Sequence, residues 1–259
     1  MKTETKSLLL KFLESQGQAR PRDIAKHFRM STQAIHRHLK TLVSEGLLEQ
    51  KSKPPTTYYT PADTPIFSLA AKWMRISKVN STKFKDFVCE TRDVFTARLS
   101  RFKNFVAEGL PERDLPLIVA VSGEVGNNCY DHNLGKWRDQ PGCWFEVQIT
   151  RHRLWVLIGD RGQGVLSSLK QVDPRIRTDR DALRIAFEKR ISARAPERRG
   201  NGLKFVRNTI ETHKQAGVAC ASGNGQIQYG KLGEDCLKII AKNFRGPKGT
   251  ITLMSWEIR

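Results

Sequence analysis

Apolar positions recur with helical spacing through the first part of the chain. Residues 3–18, 20–28 and 30–46 each carry apolar side chains three or four positions apart, which predicts three amphipathic helices. Ser31 is a suitable N-cap for the third of them. Residues 46–61 contain two short strand-like runs around a basic tip that contains prolines. The pattern predicts an N-terminal domain of three helices and a two-stranded hairpin over residues 1–60.

The pattern changes after a short proline-containing joint at residues 60–65, which predicts a domain boundary. Residues 61–109 read as a helical connector. In residues 110–259, helical runs alternate with runs that predict strands at residues 143–150, 153–160, 217–222, 226–230, 236–244 and 249–258. Late hairpins predict an α/β sandwich and not a Rossmann sheet, so the fold class of the whole chain is α+β.

Residues 23–50, DIAKHFRMSTQAIHRHLKTLVSEGLLEQ, resemble the winged helix-turn-helix transcription regulators. The resemblance implies that the third helix enters the major groove of double-stranded DNA, with basic side chains of the wing beside it. A winged helix that contacts only other proteins is the alternative. The implied DNA-binding residues are Thr32, Gln33, His36, Arg37, Lys40, Lys51 and Lys53.

An apolar run at residues 115–121 leads into four polar side chains that share one face of a predicted helix. Glu124, Asn128, Asp131 and His132 stand at positions i, i+4, i+7 and i+8. A solvated surface has such a face, and so does the floor of a ligand site. The pattern of this helix alone leaves both interpretations open.

Two glycine-containing turns follow the acidic helix, GDRGQGV at residues 159–165 and GNG at residues 200–202. The order of acidic helix, D-x-G-x-G turn, variable loop, G-x-G helix and late G-T strand resembles the histidine-kinase-like ATPase superfamily over residues 110–259. This superfamily includes gyrase, chaperone, histidine kinase and mismatch-repair ATPases. The E-x-x-x-N-x-x-x-H spacing from Glu124 to His132 is closest to that of the anti-sigma-factor kinases.

The ATPase resemblance implies ATP and Mg²⁺ as ligands. Asn128 takes the place of the Mg²⁺ ligand, and Glu124 that of the carboxylate that orients or deprotonates an attacking water or hydroxyl. Asp160 takes the place of the acid that accepts a hydrogen bond from the adenine amino group. The other implied cofactor-binding positions are glycines that allow close backbone approach and one hydroxyl near the nucleotide: Gly162, Gly164, Gly200, Gly202 and Thr250.

Composition adds two points. The chain has 45 Lys and Arg against 26 Asp and Glu, a net charge of +19 that favours polyanionic partners such as nucleic acid. Its five cysteines include no C-x-x-C pair, which argues against a disulfide framework and a zinc site and predicts a cytoplasmic protein. Its apolar runs are shorter than the ~20 residues that span a bilayer, so we expect no membrane partner.

These patterns together predict an ATP-binding, nucleotide-responsive DNA-binding regulator of transcription. The alternative is an ATPase or anti-sigma-like protein kinase that acts on a partner protein, with the winged helix as its docking module. Residues 39–131 contain no histidine, which argues against self-phosphorylation of the sensor-kinase type. The arginine-rich residues 173–199 are expected to be mobile. The ATPase resemblance implies that this segment is a lid over the phosphates, and a solvated flexible loop is the alternative. A protein partner and an oligomer both stay open.

Overall fold

The computed structural model describes most of the 259 residues, in eight stretches: 2–44, 47–52, 57–61, 67–78, 84–106, 113–150, 152–189 and 201–258. The chain divides into two compact units. Residues 1–67 and 148–154 form the first unit, and residues 68–147 and 155–259 form the second.

The first unit contains three helices and a hairpin, in the order that the sequence predicts. Its core is a cluster of aliphatic side chains from all three helices, among them Leu13, Ile24 and Leu39. Ser31 caps the third helix, because its Oγ accepts a hydrogen bond from the Ala34 N–H over 3.2 Å. The elements are α1 (Lys2–Gln16), α2 (Pro21–His27), α3 (Thr32–Ser44) and the antiparallel strands β1 (Leu48–Lys51) and β2 (Tyr58–Pro61).

Six strands in the described part of the chain form one sheet, in the order β3-β4-β5-β8-β6-β7. Its strands are β3 (Val88–Cys89), β4 (Cys143–Thr150), β5 (Arg153–Asp160), β6 (Ala216–Ser222), β7 (Gly225–Tyr229) and β8 (Thr250–Glu257). The helices of the second unit are α4 (Ser68–Arg75), α5 (Arg92–Val106), α6 (Asp114–Asp131), α7 (Val165–Lys170), α8 (Asp179–Glu188), α9 (Gly202–Thr212) and α10 (Gly233–Asn243).

Helices cover both faces of this sheet near β6 and β7. On one face, Tyr229 of β7 stacks on Phe187 of α8 and lies under the Arg207 guanidinium of α9. On the other face, Gly217 of β6 lies so close to the backbone at Leu232 and the start of α10 that a Cβ would collide with it. The mixed helix-and-strand fold is confirmed, and the ATPase-type sandwich stays a prediction.

Three parts of the second unit differ from the sequence-based expectations. Residues 236–244, predicted as a strand, belong mainly to helix α10, because Cys236, Ile239 and Ile240 are buried at positions i, i+3 and i+4. The second part is residues 179–188, which belong to the segment expected to be a mobile loop. They form α8, which begins at a Thr178 N-cap and buries one apolar side.

The third difference concerns residues 61–109. They contribute α4 and α5 to the second unit, and between these helices they also contribute strand β3. Strand β3 pairs with β4, with Val88 opposite Trp144 and Cys89 opposite Cys143. A two-residue strand gives no detectable period in sequence, so only its pairing reveals it.

Candidate functional site

A cavity of about 230 Å³ lies in the second unit, between the end of α6, the start of α9 and the strands β5, β6 and β8. Its lining comes from segments that are far apart in the sequence. Six of the predicted site residues line it: Glu124, Asn128, Asp160, Gly164, Gly202 and Thr250.

Asp160 is the last residue of β5, and its side chain is almost completely buried at one end of the cavity. Its Oδ1 accepts a hydrogen bond from the Gly162 N–H over 2.8 Å. Burial raises the pKa of Asp160 to about 6, although hydrogen bonds from the backbone of Gly162, from Asn133 and from the backbone of Thr250 act in the opposite direction. The site therefore holds a carboxylate whose charge is only partly compensated.

The turn after Asp160 is shaped by two glycines. Gly162 does not line the cavity, and it packs so closely against the Asn133 side chain that a Cβ would overlap it. Gly164 has a φ of +79°, in the left-handed region that glycine adopts without strain. The Asn133 amide orders this turn, since its Oδ1 accepts from the Gln163 N–H over 3.0 Å. Asn133 is a site residue that the motif comparison misses, although it directly follows His132.

Another part of the cavity lining joins the acidic face of α6 to the first residue of α9. Gly202 lies so close to the Glu124 carboxylate that a Cβ would clash with Oε2. Within the described residues, the Glu124 side chain forms no hydrogen bond or ion pair. The Asn128 Nδ2 is buried and also lacks a hydrogen-bond partner among them. Gly200, predicted beside the phosphates, lies outside the described residues.

The remaining polar residues of the α6 face have partners. His132 Nδ1 lies 3.2 Å from Ser168 Oγ, and burial lowers the pKa of this imidazole, which favours its neutral form. Asp131 forms an ion pair with Arg92 of α5. Arg92 is the one arginine or lysine among the described residues that line the cavity, beside the carboxylates of Glu124, Asp131 and Asp160. The cavity is therefore anionic within the described part of the chain.

Thr250 belongs to a small hydroxyl cluster at the start of β8. Ser222 Oγ lies 3.5 Å from Thr250 Oγ1, accepts from the Val165 N–H over 3.0 Å and donates to the Gly249 carbonyl over 3.1 Å. Ser222 therefore ties β6 to α7 and to β8. Ser222 does not itself line the cavity, but it contacts Thr250, which does. Sequence motifs miss this supporting residue, because only the strand pairing brings it beside Thr250.

Arg161 stabilises the position of the glycine-containing turn. Its guanidinium is 1% exposed and bonds both carboxylate oxygens of Asp139, with distances of 3.0 and 2.8 Å. It also donates to the carbonyls of Trp73 and Ile76. A buried charge with this many partners is fixed in position, so the turn that carries Asp160 is anchored to α4.

The predicted DNA-binding residues lie in the first unit. Four are exposed on α3, namely Thr32, Gln33, Arg37 and Lys40. His36 is half-buried on the same helix. Lys51 is exposed on β1 and forms an ion pair with Glu49, whereas Lys53 lies outside the described residues. Helix α3 thus presents a polar, basic surface opposite its buried side.

Most of the first unit is similar to a known protein family. Residues 3–56 match the MarR family. The match covers about a fifth of the 259 residues and confirms a winged helix at the N-terminus. It supports a DNA-binding regulator of transcription. No curated protein and no solved structure matches the chain. Across the described residues, no helix is long and apolar enough to cross a membrane.

Proposed function

We propose that the second unit binds ATP together with Mg²⁺, and that the chain is a nucleotide-responsive DNA-binding regulator of transcription. One observation carries the nucleotide half of this proposal. A buried, hydrogen-bonded carboxylate, Asp160, and the polar residues Glu124 and Asn128 line the same cavity, although they come from a strand and a helix far apart in the chain. Ligand sites usually combine an apolar cleft with a few convergent polar groups of this kind.

The Asp160 end of the cavity suits an adenine base. Val125, Ile158 and Leu169 supply apolar walls, on which a flat aromatic ring can pack. The Asp160 carboxylate can accept a hydrogen bond from an exocyclic amino group, and the Gly162 N–H holds it in place. A purine with an amino group satisfies both features.

The Glu124 end suits a cation bound to phosphates. Three carboxylates and one arginine line the cavity within the described residues, so a bare polyphosphate would be repelled. The unpaired Asn128 amide can turn its oxygen toward a hard cation, since the two ends of an amide exchange places by rotation. Asn128 would hold the Mg²⁺, and ATP when bound supplies a phosphoanhydride bond at this end.

The alternative function is an ATPase or a protein kinase that acts on a partner, and one observation favours it. The Glu124 carboxylate lines the cavity and makes no hydrogen bond or ion pair with the described residues. A free carboxylate can orient, or take a proton from, a water or a hydroxyl. Phosphate release by the wild type that disappears in Glu124→Gln, with ATP affinity retained, would favour this alternative over a sensor.

Calorimetry with ATP, ADP and AMP, with and without Mg²⁺, tests the nucleotide proposal. We expect ATP binding that depends on Mg²⁺ and weakens by about 1.5–3 kcal/mol, roughly tenfold or more, in Asp160→Asn. The matched control is Asp173→Asn, which alters an aspartate that pairs with the exposed Arg175 and does not line the cavity. Wild-type protein that binds no nucleotide at millimolar concentration would refute the proposal.

The regulatory half requires that ATP change the affinity for DNA. A ligand shifts an equilibrium only by its differential affinity for the two states, so the ratio of DNA affinities with ATP and with ADP is the quantity to measure. Equal DNA affinity in both nucleotide states would leave a DNA-binding protein that holds ATP without responding to it.

A further inference from the structure

A second concave surface of the second unit has a different chemical character from the cavity. It has a volume of about 140 Å³ and lies between the end of α4, the segment at Arg138 and the loop that joins α10 to β8. Buried Met74, Phe244 and Pro247 contribute to its lining. Four cationic side chains stand around these apolar groups, and together they form what we name the basic pocket: Arg75, Arg138, Arg245 and Lys248.

The four cations of the basic pocket have no anionic partner among the described residues. No aspartate or glutamate is among the described residues that line it. Within the described part of the chain, none of the four side chains forms an ion pair, and Arg75 makes one hydrogen bond, from Nε to the Ala71 carbonyl over 3.0 Å. Like charges gathered without a counterion repel each other, so this arrangement is more favourable when an anion occupies it.

The basic pocket is held by backbone contacts on two sides. The Pro247 carbonyl accepts a hydrogen bond from the Gly223 N–H over 3.0 Å, which fixes the α10–β8 loop to the end of β6. The Arg138 N–H donates to the carbonyl of the buried Arg161 over 3.1 Å. The positions from which the cations project are therefore set by the fold and need not be ordered by a ligand.

We propose that the basic pocket binds a phosphate group of the DNA backbone. Arginine matches the geometry of a phosphate with paired N–H donors, and three of the four cations are arginines. An apolar patch beside the cations gives the sugar a surface to pack on. The pocket, of about 140 Å³, is smaller than the cavity beside Asp160 and has room for one such group. The second unit then contributes its own phosphate contact, in addition to those of the winged helix.

The test uses the full chain and a duplex DNA of arbitrary sequence. In the double variant Arg245→Gln and Lys248→Gln, we expect roughly tenfold weaker binding and a slope of log affinity against log salt that falls by about one to two. The control, Lys214→Gln with Lys231→Gln, removes the same charge from exposed residues near the Ala216 end of β6, far from the basic pocket. Equal losses in the two double variants, or no loss in either, would overturn the proposal.

Two further experiments distinguish free phosphate from a phosphate group of DNA as the anion that binds. Inorganic phosphate at tens of millimolar is expected to raise the Tm of the wild type and not that of the Arg245/Lys248 variant. Stabilisation by phosphate with unchanged DNA affinity would overturn the assignment to DNA. In an Arg37→Ala background, the Arg245/Lys248 pair must still lower residual DNA affinity, because a second contact acts independently of the winged helix. If Arg37→Ala weakens binding but the Arg245/Lys248 substitutions cause no further loss, the basic pocket does not bind DNA, and the proposed role of the winged helix is unaffected.

Discussion

The Gly162 N–H donates a hydrogen bond to Asp160 Oδ1, two residues before it, over 2.8 Å. The turn that follows β5 therefore orients the carboxylate that ends the strand. Arg161, between these two residues, bonds Asp139. Three consecutive residues thus combine a buried carboxylate, the arginine that anchors its turn and the backbone donor that orients it.

The buried carboxylate predicts a pH dependence of nucleotide binding. Burial raises the pKa of Asp160 to about 6, and the ionised form is the stronger hydrogen-bond acceptor. ATP affinity is therefore expected to fall as the pH decreases through about 6. Calorimetry between pH 5 and 8 measures this change in ATP affinity. The terminal phosphate of ATP also titrates at about 6, and the Asp160→Asn variant shows how much of the change comes from ATP itself. Identical pH profiles in the two proteins would exclude Asp160 as the titrating group.

Two glycines of α6 are expected to respond oppositely to alanine. At Gly126, a Cβ would overlap the buried Phe95 ring of α5, so Gly126→Ala should lower the free energy of unfolding by about 1–3 kcal/mol. At Gly123, a Cβ would meet Leu99 Cδ2 at 3.6 Å, an ordinary contact, and alanine should add about 0.5–1 kcal/mol through helix propensity. Denaturant unfolding compares them, and equal effects would contradict the close packing of α5 on α6.

Arg161→Met is expected to lower the free energy of unfolding by about 3–5 kcal/mol, because it leaves Asp139 without the guanidinium that pairs both of its oxygens. The matched control is Arg175→Met. Arg175 makes the same two-point contact with Asp173, but its side chain is 90% exposed, so we expect no measurable change. Urea unfolding of both variants decides between an anchoring role and a surface pair.

The exposed side of α3 predicts a contact with phosphate. Arg37→Ala and Lys40→Ala should each weaken binding to duplex DNA and reduce the salt slope by about one. Lys11→Ala removes an equal charge from an exposed position on α1 and serves as the control. If all three variants lose the same affinity, the effect is one of net charge and not of the α3 surface.

If the arginine-rich residues 175–199 form a lid, bound ATP should protect them from cleavage by trypsin. Arg175 and Arg184 have aspartate partners, whereas residues 190–199, with the other end of the predicted lid, lie outside the described residues. If ATP holds this segment over its phosphates, ATP with Mg²⁺ should slow cleavage within residues 175–199, and ADP should not. Equal cleavage without nucleotide, with ADP and with ATP would remove the lid hypothesis.

Sequence periodicity succeeded where an element is long and has one buried side. The helices of the first unit and strands β4 to β8 were predicted on this basis, with one error at α10. The predicted run at residues 236–244 contains the adjacent β-branched residues Ile239 and Ile240, which favour a strand, but its burial on the second face of the sheet decided in favour of a helix. Strand β3 was not predictable, since two residues carry no period and only pairing with β4 makes them a strand.

The sequence by itself determined which chemical groups the chain possesses: a basic α3 surface, an acidic helix, and glycines around Asp160. Only the tertiary structure decided which of them meet. It brought Glu124, Asn128 and Thr250 to one cavity, added Asn133 to the lining, and placed Ser222 beside Thr250, although Asn133 and Ser222 belong to no motif. The reason is physical: sheet order and helix packing place residues together through contacts between distant segments, and local spacing contains no information about those contacts.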